Sequence, residues 1–231
     1  MQREIVFTAD GSHTVSIPEM NVTYHSVHGA IQESKHVFIE AGLKYASGRF
    51  TRPGVLRILE VGLGTGLNAL LTLIEAENNQ YPIHYTAIEP FPLSAEEIAS
   101  LNYCEQLNRN DLQYTFIKLH MCEWEKDIVL TSYFTIHKTN QSLLQFVTTE
   151  RYDLVYFDAF APGAQPELWT KEIFKTLYQL LSPGGVLVTY CSKGDVRRAM
   201  QDAGFSIEKL AGPPGKREMI RAWCNSPALS S

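Results

Sequence analysis

Residues 57–68 constrain this chain more than any other stretch. A short apolar run, 57–61, ends in Gly62-Leu63-Gly64-Thr65-Gly66, and a helical pattern starts at Leu67. Three glycines at alternate positions give a tight turn whose backbone can approach a ligand without Cβ clashes. A strand, a glycine turn and a helix in that order make half of a βαβ unit. The rest of the chain repeats the alternation. Apolar runs at 83–88, 133–137, 152–157 and 185–191 read as strands. Helical patterns fall at 67–77, 94–107, 167–181 and 194–203. Such alternation predicts an α/β fold with a mostly parallel sheet, whose ligands bind beyond the carboxyl ends of the strands. Two last runs, 205–209 and 217–223, flank Gly212-Pro213-Pro214-Gly215 and read as an antiparallel hairpin. Near the start, Asp10-Gly11 between alternating runs predicts a small β-hairpin, and residues 30–47 read as helix.

The turn has a chemical preference. Its spacing is G-x-G-x-G, and Leu67 stands where the dinucleotide fingerprint G-x-G-x-x-G needs its third glycine. Glu60 closes the strand before it, and an anion there suits a cationic, amine-bearing ligand better than a pyrophosphate. S-adenosylmethionine, with a sulfonium and an α-ammonium, fits that requirement. Glu89 closes the second strand, 23 positions beyond Gly66, where a carboxylate can accept both hydroxyls of a ribose. Thr65 in the turn and Pro90 beside Glu89 belong to the same candidate site.

The second chemical segment is Tyr152-Asp153-Leu154-Val155-Tyr156-Phe157-Asp158-Ala159-Phe160-Ala161-Pro162. A buried strand delivers Asp158 to the central carboxyl edge of the sheet. There it can orient an ammonium, accept its proton or stabilise a developing positive charge. Capping the following turn is the plainer alternative. Phe160 and Trp169 are flat enough to stack on a substrate, although core packing is the commoner role of a lone aromatic.

Together these residues resemble the methyltransferase domain of the bifunctional tRNA 5-methylaminomethyl-2-thiouridine biosynthesis proteins (MnmC-type), a domain also found as a stand-alone enzyme. Matching stretches are Asn21 to Ser26 with Gly29-Ala30, Glu33 to Ile39, Glu60 to Asn68, Glu89 to Leu93, Phe157 to Trp169, Pro183-Gly184-Gly185 and Lys216-Arg217-Glu218-Met219. The resemblance implies a Rossmann-like class I methyltransferase fold. It implies methyl transfer from S-adenosylmethionine to the 5-aminomethyl group of a tRNA wobble uridine. Carried over by position, Gly62, Gly64 and Glu89, with Tyr24 and Asn68, would hold the cofactor. Asp158 would face the amine, with Phe160 and Pro162 beside the substrate. Where relatives often carry Gly-Asp after the third strand, this chain has Lys138-Thr139, and 112–132 matches poorly. No FAD-binding second domain is expected within residues 1–231. The whole reads as one methyltransferase domain, with 1–50 an N-terminal extension and 51–231 the core.

Charge pulls the other way. The formal net charge is −5 and the pI about 5.8, which does not suit a general nucleic-acid binder. One stretch is locally basic: residues 191–221 hold Lys193, Arg197, Arg198, Lys209, Lys216, Arg217 and Arg221 against four acids. Arg197, Arg198, Lys216 and Arg217 are candidates for tRNA phosphates, and a solvated helix face explains them equally well. A transferase acting on a small amine, methyl- or aminopropyl-, is the competing function. The four cysteines are scattered, giving neither a disulfide framework nor a metal site. With no apolar leader and no membrane-length run, the expected location is the cytoplasm.

Overall fold

Five parallel strands carry the fold: β4 (Leu56–Val61), β5 (Ile83–Ile88), β7 (Phe134–Thr139), β8 (Tyr152–Phe157) and β9 (Leu181–Thr189). The computed structural model describes residues 2–49 and 54–225, so the expected boundary at residues 50 and 51 lies outside the described residues. Three antiparallel strands complete an eight-stranded sheet: β6 (Asp127–Thr131) on β7, and the hairpin of β10 (Ser206–Ala211) and β11 (Glu218–Trp223) on β9. The spatial order is β10-β11-β9-β8-β4-β5-β7-β6. β4 is flanked by β5 on one side and β8 on the other, so the chain reverses direction of travel there. That switch point opens a crevice at the carboxyl ends of β4 and β8.

The strands are nearly continuous apolar runs because both faces are covered. Ile58, Tyr85, Leu154, Tyr156, Val186 and Val188 face one apolar cluster, and Leu59, Val61, Ile88, Val155, Phe157 and Leu187 face the other. The first is covered by α3 (Leu67–Asn79) and by one continuous helix made of α1 (Ala30–Ser34), a π-hydrogen-bonded stretch Lys35–Lys44 and α2 (Tyr45–Ser47). This helix presses closely on the sheet at Gly42, where a Cβ would lie 2.9 Å from Val188 Cγ2. The second cluster is covered by α7 (Lys171–Leu180) and α8 (Gly194–Asp202). Thr170 caps α7 through its hydroxyl, which accepts the Ile173 amide at 3.4 Å.

The N-terminal hairpin forms between β1 (Glu4–Phe7) and β2 (His13–Ile17), and β3 (Val22–Thr23) extends it to three strands. Gly11 takes a left-handed φ of +81° in the turn. Two segments differ from the sequence reading. Residues 94–107 form two short helices, α4 (Ala95–Ala99) and α5 (Tyr103–Gln106). The break follows because the Asn102 side chain leaves the helix to join the hairpin: its Oδ1 accepts the His13 amide at 2.8 Å and its Nδ2 donates to Gly11 O at 3.0 Å. The poorly matching stretch contains α6 (Gln113–Met121) as well as β6, both at the sheet's margin, where half-exposed faces blur the apolar period. No helix among the described residues is long and apolar enough to cross a membrane.

Candidate active site

The ends of four central strands, β8, β4, β5 and β7, are stitched together by backbone hydrogen bonds. Gly62 N donates to Ile88 O at 3.0 Å, Asp158 N to Val61 O at 3.0 Å, and Glu89 N to Thr139 O at 2.9 Å. This brings the glycine turn, Glu89 and Asp158 to one edge. Between them opens a cleft of about 380 Å³. Tyr24, Gly62, Gly64, Thr65, Glu89, Pro90, Asp158 and Phe160 all line it.

The glycines are required by contact as well as by conformation. Gly62, Gly64 and Gly66 have φ of +91°, +49° and +71°. A Cβ on Gly62 would lie 2.8 Å from the Asp158 carbonyl oxygen, and one on Gly64 would lie 2.7 Å from the Tyr24 ring. Glu89 braces the turn: Oε2 accepts Gly64 N at 2.8 Å and Oε1 accepts Phe91 N at 2.8 Å. Each carboxylate oxygen keeps a second lone pair for hydroxyl donors in the cleft. Burial pushes the Glu89 carboxyl upward, and the two amides pull it back. Tyr24 meets Phe160 edge to face at 5.0 Å.

Glu60 and Asn68 stand behind this wall rather than in it. Glu60 is 0% exposed, and burial raises its carboxyl well above the ordinary range. Burial thus disfavours the anion that its position suggested, while the Asn68 hydrogen bond favours it. Asn68 links it to the cleft: Nδ2 donates to Glu60 Oε1 at 2.9 Å and to Asp158 Oδ2 at 2.8 Å. Asp158, partly exposed at the cleft wall, is pushed up to about 7 by burial and by the charge of Glu33, against the opposing pull of Asn68 and Lys216.

Other expected residues separate by place. Trp169 is core: it packs edge-on to Phe157 at 4.8 Å and donates its indole N–H to Phe160 O at 2.8 Å. Pro162 lies in the loop after Asp158, and that loop is folded back by Gln165, whose Oε1 accepts Phe160 N at 2.9 Å. Arg217 is exposed, and Arg198 pairs with Asp195 on the outer face of α8. Lys216 turns inward to buried Glu33. Lys138 is buried, its ammonium on His120 O and 4.5 Å from the Trp124 ring centroid. Ser142, Leu143 and Leu144 line the cleft beyond that strand end.

Three residues were not anticipated. Arg3 reaches the cleft from β1's flank, donating to Phe91 O at 2.6 Å and Pro92 O at 3.0 Å. His25 Nε2 lies 2.6 Å from Thr65 Oγ1, and His120 Nε2 lies 3.1 Å from Thr65 O. The two rings clamp Thr65, one at its hydroxyl and the other at its carbonyl. Burial lowers both to about 4, so both are neutral at pH 7. The linkage sign follows: below 6.5 the unfolded chain takes up protons that the fold refuses until about 4. Stability is thus full above 6.5 and falls as pH drops through that window, by up to about 3 kcal/mol per ring. His120→Gln keeps a donor for Thr65 O and removes the titration. Its melting temperature should fall less than wild type between pH 6.5 and 4, and parallel curves would refute the clamp's role in acid lability.

Residues 101–225, more than half of the chain, match the family described as S-adenosyl-L-methionine-dependent methyltransferase. The chain belongs to that family. The methyltransferase is 29% identical to the tRNA 5-methylaminomethyl-2-thiouridine biosynthesis bifunctional protein MnmC of Paraburkholderia xenovorans (strain LB400), over 94% of this chain and 34% of that protein. It is 30% identical to the protein of the same name from Burkholderia multivorans, again over 94% of this chain and 34% of the relative. It thus spans about a third of the length of these relatives. Among solved structures, MnmC2 from Aquifex aeolicus superposes with a TM-score of 0.77 at 24% identity, covering 98% of this chain and 72% of that one. Spermidine synthase from Thermotoga maritima shares the fold at a TM-score of 0.53 and 12% identity, over 97% and 69% of the two chains.

The family's cofactor is S-adenosylmethionine, and the cleft fits it. The Gly62–Gly64 backbone is bare where side chains would intrude, Glu89 offers acceptors for ribose hydroxyls, and Ile88, Leu143 and Leu144 supply apolar surface for a flat base.

Proposed function

We propose that this chain transfers a methyl group from S-adenosylmethionine to the 5-aminomethyl group of the tRNA wobble uridine, giving 5-methylaminomethyluridine or its 2-thio form. The observation that carries the reading is Asp158: a carboxyl poised at about 7, at the switch point, on the wall of the cofactor cleft. The names of the relatives, which match 94% of the chain, support the tRNA substrate. In this reading residues 1–231 act as one methyltransferase domain with 1–50 as its extension, working in the cytoplasm where tRNA is.

Bound S-adenosylmethionine supplies an electrophilic methyl group. The protein's task lies with the amine, which is mostly protonated near neutral pH and then has no lone pair to offer. Asp158 holds the ammonium, accepts its proton on Oδ1 or Oδ2, and keeps the nitrogen aimed. Asn68 fixes Oδ2 at 2.8 Å, so the carboxylate is oriented before substrate arrives. Glu60 lies behind Asn68, whose amide also donates to its Oε1 at 2.9 Å, so the Asn68 side chain is itself held in place. Gly62, Gly64, Thr65, Glu89, Pro90 and Tyr24 hold the cofactor, and Phe160 lies beside the base.

The purified chain should methylate tRNA that carries 5-aminomethyluridine, detected as the methylated nucleoside by mass spectrometry. Methylation of small polyamines with none of tRNA would install the small-amine alternative instead. Arg197, Arg198 and Arg217 are the phosphate contacts of this reading. Replacing all three by Gln should weaken tRNA binding and reduce the slope of log K against log salt by roughly 0.9 per lost contact. Cofactor affinity should not change. An unaltered slope would leave them a solvated face.

A further inference from the structure

Three elements far apart in sequence meet beside Asp158. Glu33 on α1 is 4% exposed. Its Oε2 accepts the Ser26 amide at 2.7 Å, and its Oε1 receives the ammonium of Lys216 from the β10–β11 loop. The same ammonium sits 3.8 Å from the centroid of the Tyr190 ring. Tyr190, just after β9, donates its hydroxyl to Ala159 O at 2.8 Å, one residue past Asp158. The loop is seated by Gly215, at φ +83°, against the His28 ring. A carboxylate beside an aromatic face is a receptor for an ammonium group. In this protein it holds one of the chain's own.

Building on the amine-methylation reading, we infer that Glu33 and the face of Tyr190 form the seat of the substrate's amine, and that Lys216 fills this seat until the substrate displaces it. The groups facing the seat are Glu33 from α1, Asp158 from β8, Tyr190 from β9 and Lys216 from the hairpin. His25 nearby is neutral, and Glu60 lies behind Asn68. When Lys216 leaves, Glu33 loses its cation beside Asp158, and an incoming ammonium takes that cation's place. Lys216 then stands free at the rim next to Arg217. A substrate that brings both an ammonium and a phosphate backbone satisfies both ends of the exchange. Without the exchange, Lys216 holds the amine site shut against solvent cations.

The probe is the nucleoside 5-aminomethyluridine, titrated by calorimetry into the whole chain, with uridine as the amine-free control. Lys216→Met removes the internal competitor and should tighten the amine nucleoside by about tenfold. Glu33→Gln should weaken it by about tenfold. Uridine should bind wild type and both variants alike. Glu33 is buried, so a misfolded Glu33→Gln would leave Lys216→Met to decide by its sign alone. Weaker or unchanged binding of the amine nucleoside to Lys216→Met makes Lys216 a strut and overturns the inference. The same holds if neither wild type nor Lys216→Met binds it. Tighter binding to Lys216→Met with no tRNA methylation by wild type would keep the seat and discard the wobble-uridine reading.

Discussion

Asp158→Asn should lower single-turnover methyl transfer by about two to four powers of ten, the range that loss of a general base gives. The variant is nearly isosteric, and its side-chain oxygen can still accept from Asn68. What it loses is charge and the capacity to take a proton. Wild-type rate should fall as pH drops below about 7, because protonated Asp158 can neither hold an ammonium nor deprotonate one. Stability should move the other way. A carboxyl raised from 3.8 to about 7 is protonated in the fold over a window where the unfolded chain is ionised. The fold therefore loses stability as pH rises through that window, and the deficit is complete above 7. Asn removes the deficit, so at pH 8 the variant should melt at a higher temperature than wild type while being nearly inactive. A variant that methylates tRNA near the wild-type rate would reduce Asp158 to a turn cap. One that also loses S-adenosylmethionine would move it into the cofactor's own contacts.

The part of this site legible in the sequence is the part carried by backbone. The glycine turn after β4, the acid ending β5 and the Asp158 segment ending β8 were all placed by strand–turn–helix order. That order fixes which residues reach the carboxyl edge whatever their side chains do. Charge states were not legible. Glu60 reads as an anion from its position, yet complete burial, which no local pattern shows, disfavours its charged form. Lys216 reads as a surface cation in a run of basic residues, but Glu33, 183 positions away, turns it inward. His120 gave no pattern because α6 is short and half-exposed, although it holds the Thr65 carbonyl of the turn. Long-range side-chain partners are the common element in these differences. The parallel sheet and the closing hairpin, which rest on local period and on turn chemistry, followed the sequence reading closely.

Gly64→Arg should abolish detectable S-adenosylmethionine binding, a loss of at least about a hundredfold, with the fold kept. Gly64 sits at φ +49°, where a side chain costs about 1–2 kcal/mol, small beside the stability of a domain this size. The larger effect is where the side chain must go. Its Cβ would lie 2.7 Å from the Tyr24 ring, so an arginine must push Tyr24 aside or run into the cleft. Either course fills space that the cofactor needs, and the second also brings a guanidinium to Glu89. That carboxylate would then pair with the arginine and cease to be available for ribose hydroxyls. Gly64→Ala is the graded control, since the half-buried Tyr24 ring can yield to a single methyl. It should weaken binding several-fold and leave the Gly64 amide on Glu89. Circular dichroism and a cooperative melt would show that both variants are folded, and calorimetry would give the affinities. Wild-type affinity in folded Gly64→Arg would mean that the cofactor does not approach this turn, and the assignment of Gly62, Gly64 and Glu89 would fall with it.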